Sequence, residues 1–417
     1  MDRQFGVVRA PQNLVFGAGQ RAALPNYAKA LGRTALFVTD DRMAGEPAFA
    51  QMRQSVEEAG IVVSVFSGTL PELPATCLAE GVDAGRAAGS DLIIGVGGGS
   101  CMDAAKIIAL LLAHGGEIAD YYGEYKVPGP VLPLIALPTT AGTGSEVTPV
   151  AVVSDKNRAV KVGIASPHLI PHTAICDPEL TYGCPPGLTA VSGADALTHA
   201  IEAFTTAQRV PTGVTVHEHV FLGKNAISDL YALEAIRLIG RSLARAVRDG
   251  ADHEARADMM LGATLAGLAF GTAGTAAAHA IQYPVGALTH TAHGLGVAAV
   301  MPYVMEFNLP MATASMAEIA TALGLPVDGL TQARRAAAAV DSTAALFAEI
   351  GIPPDIKALG MSEDKLGWTA EQALTATRLI KNNPRPLDAQ SMAMLVEAAY
   401  RGDREMLRHS LSEQEAI

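Results

Sequence analysis

The sequence predicts an α/β domain built on a parallel sheet, followed by an all-α domain, and three observations carry that reading. The chain has 417 residues, more than a single core ordinarily organises, so two domains are expected. Up to about residue 185, short β-rich apolar runs alternate with helical patterns, the mark of βαβ units. From about residue 186 the strand signal fades into long alanine- and leucine-rich segments with a 3.6-residue period. The domains are therefore drawn at 1–185 and 186–417.

In the first half, TALFVTD (34–40), IVVSVFSG (61–68), DLIIGVGGG (91–99) and PVLPLIALPTT (130–140) read as strands, each ending in glycine, threonine or aspartate. PAFAQMRQSVEEAG and CLAEGVDAGRAAG between them read as helices. Ligands of such sheets bind at the carboxyl ends of the strands, where these polar residues fall. In the second half, ALEAIRLIGRSLARAVRD, ADHEARADMMLGATLAGLAF and TQARRAAAAVDSTAALFAEIG read as helices. The stretch 205–225 reads as a long loop between helices, and loops of that length are usually functional or mobile.

Composition narrows the function. Hydrophobic residues make up 49% and charged residues 17%, which suits a globular chain and argues against wholesale disorder. A net charge of −12 disfavours nucleic acid and anionic membranes as partners, leaving a small-molecule substrate. Cys77, Cys101, Cys176 and Cys184 contain no CxxC pair, so reduced thiols and a cytoplasmic setting are expected. The amino-terminal stretch lacks the apolar core of a secretory signal, and runs such as KIIALLLAHGG are too short to span a bilayer.

DLIIGVGGGSCMDAAK (91–106) runs a strand into Gly97, Gly98, Gly99 and Ser100 and opens a helix carrying Asp103 and Lys106. Consecutive glycines let the backbone approach a diphosphate, and the helix amino end offers free N–H groups. The stretch does not fit GxGxxG, and three glycines exceed what a tight turn alone requires. LPTTAGTGSEVT (137–148) concentrates Thr139, Thr140, Thr143, Ser145 and Thr148 around two glycines, a hydroxyl-rich loop suited to phosphate and ribose or simply to solvent. Asp40, ending the first of these strands, suits the ribose hydroxyls of an adenosine, which favours NAD over NADP, and it equally suits a helix cap.

The helical half carries the second chemistry. HAIQYPVGALTHTAHG (279–294) holds three of the chain's eleven histidines in an apolar setting, where each imidazole needs a partner. SGADALTHAIEAF (192–204) places Asp195 and His199 one helical turn apart on a face lined by apolar residues. A buried aspartate there needs strong compensation, and a divalent cation or a simple Asp–His hydrogen bond supplies it. His279 and His293 complete a four-ligand set, and three imidazoles with one carboxylate suit zinc on ligand chemistry. Pro284 is expected to end or kink its helix. Tyr283 and His290 are the proton-relay candidates, whereas His217 and His219 read as solvated, as does Lys224.

GGGSCMDAAK, PTTAGTGSEVT, DALTHAIEAF and HAIQYPVGALTHTAHG, in this order and spacing, resemble the iron-containing alcohol dehydrogenase family, and the likeness extends from NLVFGAGQ (13–20) to NPRPLD (383–388). The resemblance implies a nucleotide-binding α/β domain, a helical metal domain and an active site between them. It implies that Asp195, His199, His279 and His293 hold a divalent metal, Fe2+ by family habit with Zn2+ the alternative. It places Gly97, Gly98, Gly99, Ser100, Asp103, Lys106, Thr139, Thr140 and Ser145 around NAD(P), with Asp40 at the ribose. The expected activity is hydride transfer between NAD(H) and a primary alcohol or diol and its aldehyde, by a homodimer or larger homo-oligomer. Many members carry a further histidine where this chain has Tyr283. That tyrosine and the long loop ending FLGKNAISD are similar to the hydroxyacid–oxoacid transhydrogenase branch, which brings hydroxy acids into view; a glycerol dehydrogenase-like activity is a further option. A dehydroquinate synthase-like lyase would need a cationic phosphate cluster, for which the helical half offers mainly Lys224, Lys381 and Arg385.

Overall fold

A computed structural model describes residues 5–158 and 160–408. Its strands are β1 (Asn13–Phe16), β2 (Thr34–Val38), β3 (Val62–Phe66), β4 (Leu92–Gly97), β5 (Gly123–Glu124), β6 (Leu134–Pro138), β7 (Val150–Val153), β8 (Val162–Ala165) and β9 (Thr173–Cys176). The main sheet runs β1-β9-β6-β4-β2-β3 with every pair parallel. A small sheet, β5-β8-β7, stands beside it. The helices of this half are α1 (Leu24–Leu31), α2 (Asp41–Ala44), α3 (Pro47–Glu58), α4 (Leu78–Ala88) and α5 (Gly99–His114).

Both faces of the central strands are covered, so β4 and β6 are buried throughout and read as unbroken apolar runs. Edge strand β3 is only partly covered, with Val62 and Val65 exposed and Phe66 buried. Because β2, β4 and β6 are neighbours in register, their carboxyl ends deliver Asp40, Gly98–Gly99 and Thr139–Thr140 to one rim of the sheet. The Thr139 N–H donates to the Gly97 carbonyl at 2.9 Å and ties two of these loops together.

After β9 the chain is helical: α6 (Pro186–Thr205), α7 (Thr215–Glu218), α8 (Ala226–Arg248), α9 (His253–Ala273), α10 (Ala277–Thr289), α11 (His293–Ala322), α12 (Gln332–Glu349), α13 (Leu366–Thr375), α14 (Thr377–Asn382) and α15 (Ala389–Arg401). Buried α6 packs on α8, α9 and α11 through its alanines, whose small side chains let the axes approach closely. Helix α11 is long and apolar enough to cross a membrane, but 78% of its most apolar window is buried, which makes it the core helix of this half. The α9–α10 corner bends by 102° at Gly274, whose φ of +85° suits glycine.

Three expectations are corrected. Pro284 lies inside α10, which continues to Thr289, because a proline removes only the one bond its missing N–H would have made to the preceding turn. The 205–225 segment contains the single turn α7. Lys224 is not solvated: its Nζ donates to the Phe204 carbonyl at 2.8 Å, pairs with Asp229 at 2.8 Å and sits over the Phe204 ring.

Candidate active site

A cavity of about 700 Å³ lies between the two halves of the chain and collects residues from both. From the α/β side it is lined by Asp40, Gly98, Gly99, Ser100, Asp103, Thr139, Thr140 and Ser145; from the helical side by Asp195, His199, Phe270, His279, Tyr283 and His293.

Asp40 serves as N-cap of α2, its Oδ1 accepting from Met43 N at 2.8 Å, while the residue still faces the cavity. Gly98 caps α5 in extended backbone, so the N–H groups of the first turn face the rim. A Cβ on Gly99 would come within 2.5 Å of Thr143 Cγ2, so close packing, not only ligand approach, demands glycine there. Thr139 Oγ1 and Thr69 Oγ1 are buried on the cavity wall without a hydrogen-bond partner. Ser145 Oγ donates to Asp103 at 2.6 Å, and Asp103 also accepts from Val152 N, which staples α5 to the threonine loop.

Two of the predicted cofactor residues stand off the cavity wall. Gly97, at φ +149°, shapes the turn from β4. Lys106 is fully buried, and its ammonium donates to the carbonyls of Thr148 (2.9 Å) and Val150 (2.7 Å), binding the small sheet to α5 instead of facing a nucleotide. Burial pushes its pKa down to about 8, against the opposing pull of Asp103 and Glu146.

On the helical side, one potential ligand atom each from Asp195, His199 and His279 lies within 4.8 Å of the others, and all three residues are buried. Asp195 Oδ1 and His199 Nε2 are 3.8 Å apart, too far for a hydrogen bond. Asp195 Oδ1 and His279 Nε2 have no hydrogen-bond partner among the described residues, which is costly for buried polar atoms unless a cation is meant to sit between them. Burial lowers the His199 pKa to about 4 and drives that of His293 well down, favouring the neutral imidazoles that ligation requires. Phe270 stacks on the His199 ring at 4.3 Å. His293, the first residue of α11, borders this group with its ring 5.3 Å from that of His279.

Glu202 is the functional residue that motif reading missed. Its buried carboxylate accepts from Ala276 N (2.9 Å), Ala278 N (2.7 Å) and His279 Nδ1 (2.6 Å). It thus caps α10 from a neighbouring helix and turns His279 so that Nε2 faces the cluster. Burial would raise its pKa, but His279 and the two backbone donors outweigh that and hold it below the usual glutamate range. The signal was available: Glu202 lies seven residues after Asp195 and three after His199, on the same helical face.

The relay candidates separate. Tyr283 lines the cavity, its ring 6.3 Å from that of His293, and burial raises its pKa. His290 does not line it: the residue is exposed, in left-handed backbone (φ +55°) closing α10, so its expected relay role is withdrawn. The chain's own helix end puts it there, because α10 continues past Pro284. Arg378, which no motif predicted, also lines the cavity.

A glycine- and threonine-lined rim facing a buried carboxylate–imidazole cluster defines a two-domain, metal-dependent oxidoreductase. Residues 11–178 match the iron-containing alcohol dehydrogenase family, and residues 189–400 match the carboxy-terminal domain of that family. The long-chain-alcohol dehydrogenase 1 of Geobacillus thermodenitrificans is 38% identical over 88% of this chain and 89% of its own. The NAD-dependent methanol dehydrogenase of Bacillus methanolicus is 35% identical over 93% of this chain and 98% of its own. The crystal structure of a 1,3-propanediol oxidoreductase superposes with a TM-score of 0.89 at 33% identity, covering 95% of this chain and all of that one. The chain belongs to the iron-containing alcohol dehydrogenase family and is an alcohol dehydrogenase.

Proposed function

We propose that the protein interconverts a primary alcohol or diol and its aldehyde with NAD(H), using a divalent cation held by Asp195, His199, His279 and His293. The observation that carries this reading is the set of orphaned, buried ligand atoms opening into the same cavity as the glycine and threonine loops. Fe2+ is favoured by the family, and Asp40 at the rim favours NAD, since its charge repels the additional phosphate of NADP. Relatives named for methanol and 1,3-propanediol support short alcohols and diols as substrates.

When bound, the cation supplies Lewis acidity toward the reacting oxygen, and NAD(H) accepts or donates the hydride. The chain's own contribution is positioning. The α5 amino end and the hydroxyls of Thr139, Thr140 and Ser100 hold the diphosphate and ribose side of the cofactor. Glu202 keeps the proton of His279 on Nδ1, leaving the Nε2 lone pair toward the cavity. Phe270 covers the His199 ring and excludes water from that wall. Tyr283, whose pKa burial raises, serves as a hydrogen-bond donor at Oη.

The test is metal analysis of protein purified without oxygen, coupled to NADH-dependent reduction of a panel of aldehydes with and without chelator. Activity restored by Fe2+ or Zn2+ after chelation supports the assignment; turnover indifferent to chelation overturns it.

A further inference from the structure

We propose that Arg378 is a substrate-specificity residue that binds an anionic group, a carboxylate in the first instance, at the end of the substrate remote from its hydroxyl or aldehyde. The substrates of this site are then short ω-hydroxy acids and their semialdehydes. This rests on the cavity being the alcohol-oxidising site proposed above.

Three cations line the cavity, and two are already matched: Arg42 pairs with Glu46, and Lys161 pairs with Glu72. Arg378 has neither a hydrogen bond nor an ion pair among the described residues, and its Nη1 is buried without a partner. The nearby carboxylates are spent elsewhere: Glu124 accepts from Val220 N at 2.7 Å, and Glu202 caps α10. A buried guanidinium retains its charge, so an unmatched one is expensive unless a ligand neutralises it.

The guanidinium is also held in place. Its Cζ lies 4.2 Å from the centre of the Phe221 ring, which also faces the cavity, and the stacking fixes the plane of the fork. Tyr283 lines the same cavity. Tyr283 follows His279 by one turn of α10 on the same face, roughly 5.4 Å along the axis. Arg378 lines the same cavity as the metal-suited cluster, so one short substrate can touch both. A planar fork of this kind matches a carboxylate through two parallel hydrogen bonds. A neutral alcohol would leave the charge buried and unpaired.

The experiment compares butanal with 4-oxobutanoate and with the corresponding sulfonate aldehyde, using Fe2+-loaded full-length protein and NADH. Arg378→Met and Arg378→Lys are measured beside the parent. The parent is expected to prefer 4-oxobutanoate. The ratio of kcat/KM for the acid over the neutral aldehyde should fall by about 10²- to 10³-fold in Arg378→Met, chiefly through KM, with partial recovery in Arg378→Lys. A binding readout independent of turnover uses butyrate and butanesulfonate as inert probes: either should raise the unfolding midpoint of the parent and not of Arg378→Met. Preference for the sulfonate over the carboxylate keeps the anion site and reassigns its ligand. An unchanged ratio, or both aldehydes losing activity equally, overturns the proposal while leaving the dehydrogenase reading intact. Absence of turnover with every aldehyde, together with anion binding abolished by Arg378→Met, would instead count against the dehydrogenase reading alone.

Discussion

Replacing Glu202 by glutamine removes the charge that joins α6, the start of α10 and the His279 ring. The carboxylate accepts three hydrogen bonds, from Ala276 N, Ala278 N and His279 Nδ1. A glutamine has one accepting oxygen, so its amide nitrogen must confront either a backbone donor or the ring. One buried donor left unsatisfied costs about 1–3 kcal/mol. If the amide donates to Nδ1, the ring proton moves to Nε2, which then cannot ligate a metal. Loss of such a supporting contact lowers metal affinity about 10- to 100-fold. Chelator competition reads the affinity, and thermal unfolding of metal-free protein reads the stability. Glu202→Asp, which keeps the charge but shortens the reach, should fall between. A glutamine variant that retains metal as tightly as the parent and unfolds at the same temperature would refute the positioning role. Because the carboxyl of Glu202 sits below its usual range, its stabilising contribution is fully present above that range and is lost as pH falls through it.

Four further outcomes are expected. Gly144→Ala should destabilise the protein by about 2 kcal/mol or more and raise KM for NAD, because its φ is +61° and a Cβ would meet Gly267 Cα at 2.6 Å; urea unfolding and cofactor titration check this. Asp40→Ser should keep the α2 cap yet shift the NAD-to-NADP preference toward NADP by tenfold or more, read as a ratio of kcat/KM values. Asp258→Ala should cost about 1–2 kcal/mol by removing an acceptor that Arg241 grips at 2.7 Å through both oxygens and Ser242 at 2.6 Å. Burial pushes the Asp258 pKa up, but Arg241 and Ser242 bring it below normal, so this difference should be full near neutrality and vanish as unfolding is measured at increasingly acid pH. His290→Ala should leave kcat and its pH profile within about twofold of the parent, as for an exposed substitution.

Much of the architecture is legible in the sequence. The central strands β4 and β6 are apolar along their whole length, and β2 is so after Thr34, because helices cover both faces, and that continuity is what a sequence displays best. Strand β1, with only four residues alternating between half-buried and exposed, offers too short a signal to distinguish from a loop. Asp195, His199 and His279 were legible because charged or imidazole side chains on apolar faces need compensation. Glu202 escaped notice because its partners, the N–H groups of Ala276 and Ala278, lie more than seventy residues away and are backbone atoms of unremarkable alanines. Lys106 departs from its expected place for a related reason. Its place after the glycine loop pointed to phosphate, whereas the carbonyls it serves belong to a strand whose position only the tertiary fold defines. Arg378 carries no motif at all; its meaning comes from what fails to pair with it.

The approach of Gly144 to Gly267 joins the hydroxyl-rich loop of the α/β half to α9 of the helical half with main chain against main chain. Neither glycine brings a side chain of its own to compress or to slide, and Val147 packs beside them. A methyl group on either glycine would wedge the two halves apart at this point, so the spacing of the cleft walls is set here by the absence of two side chains.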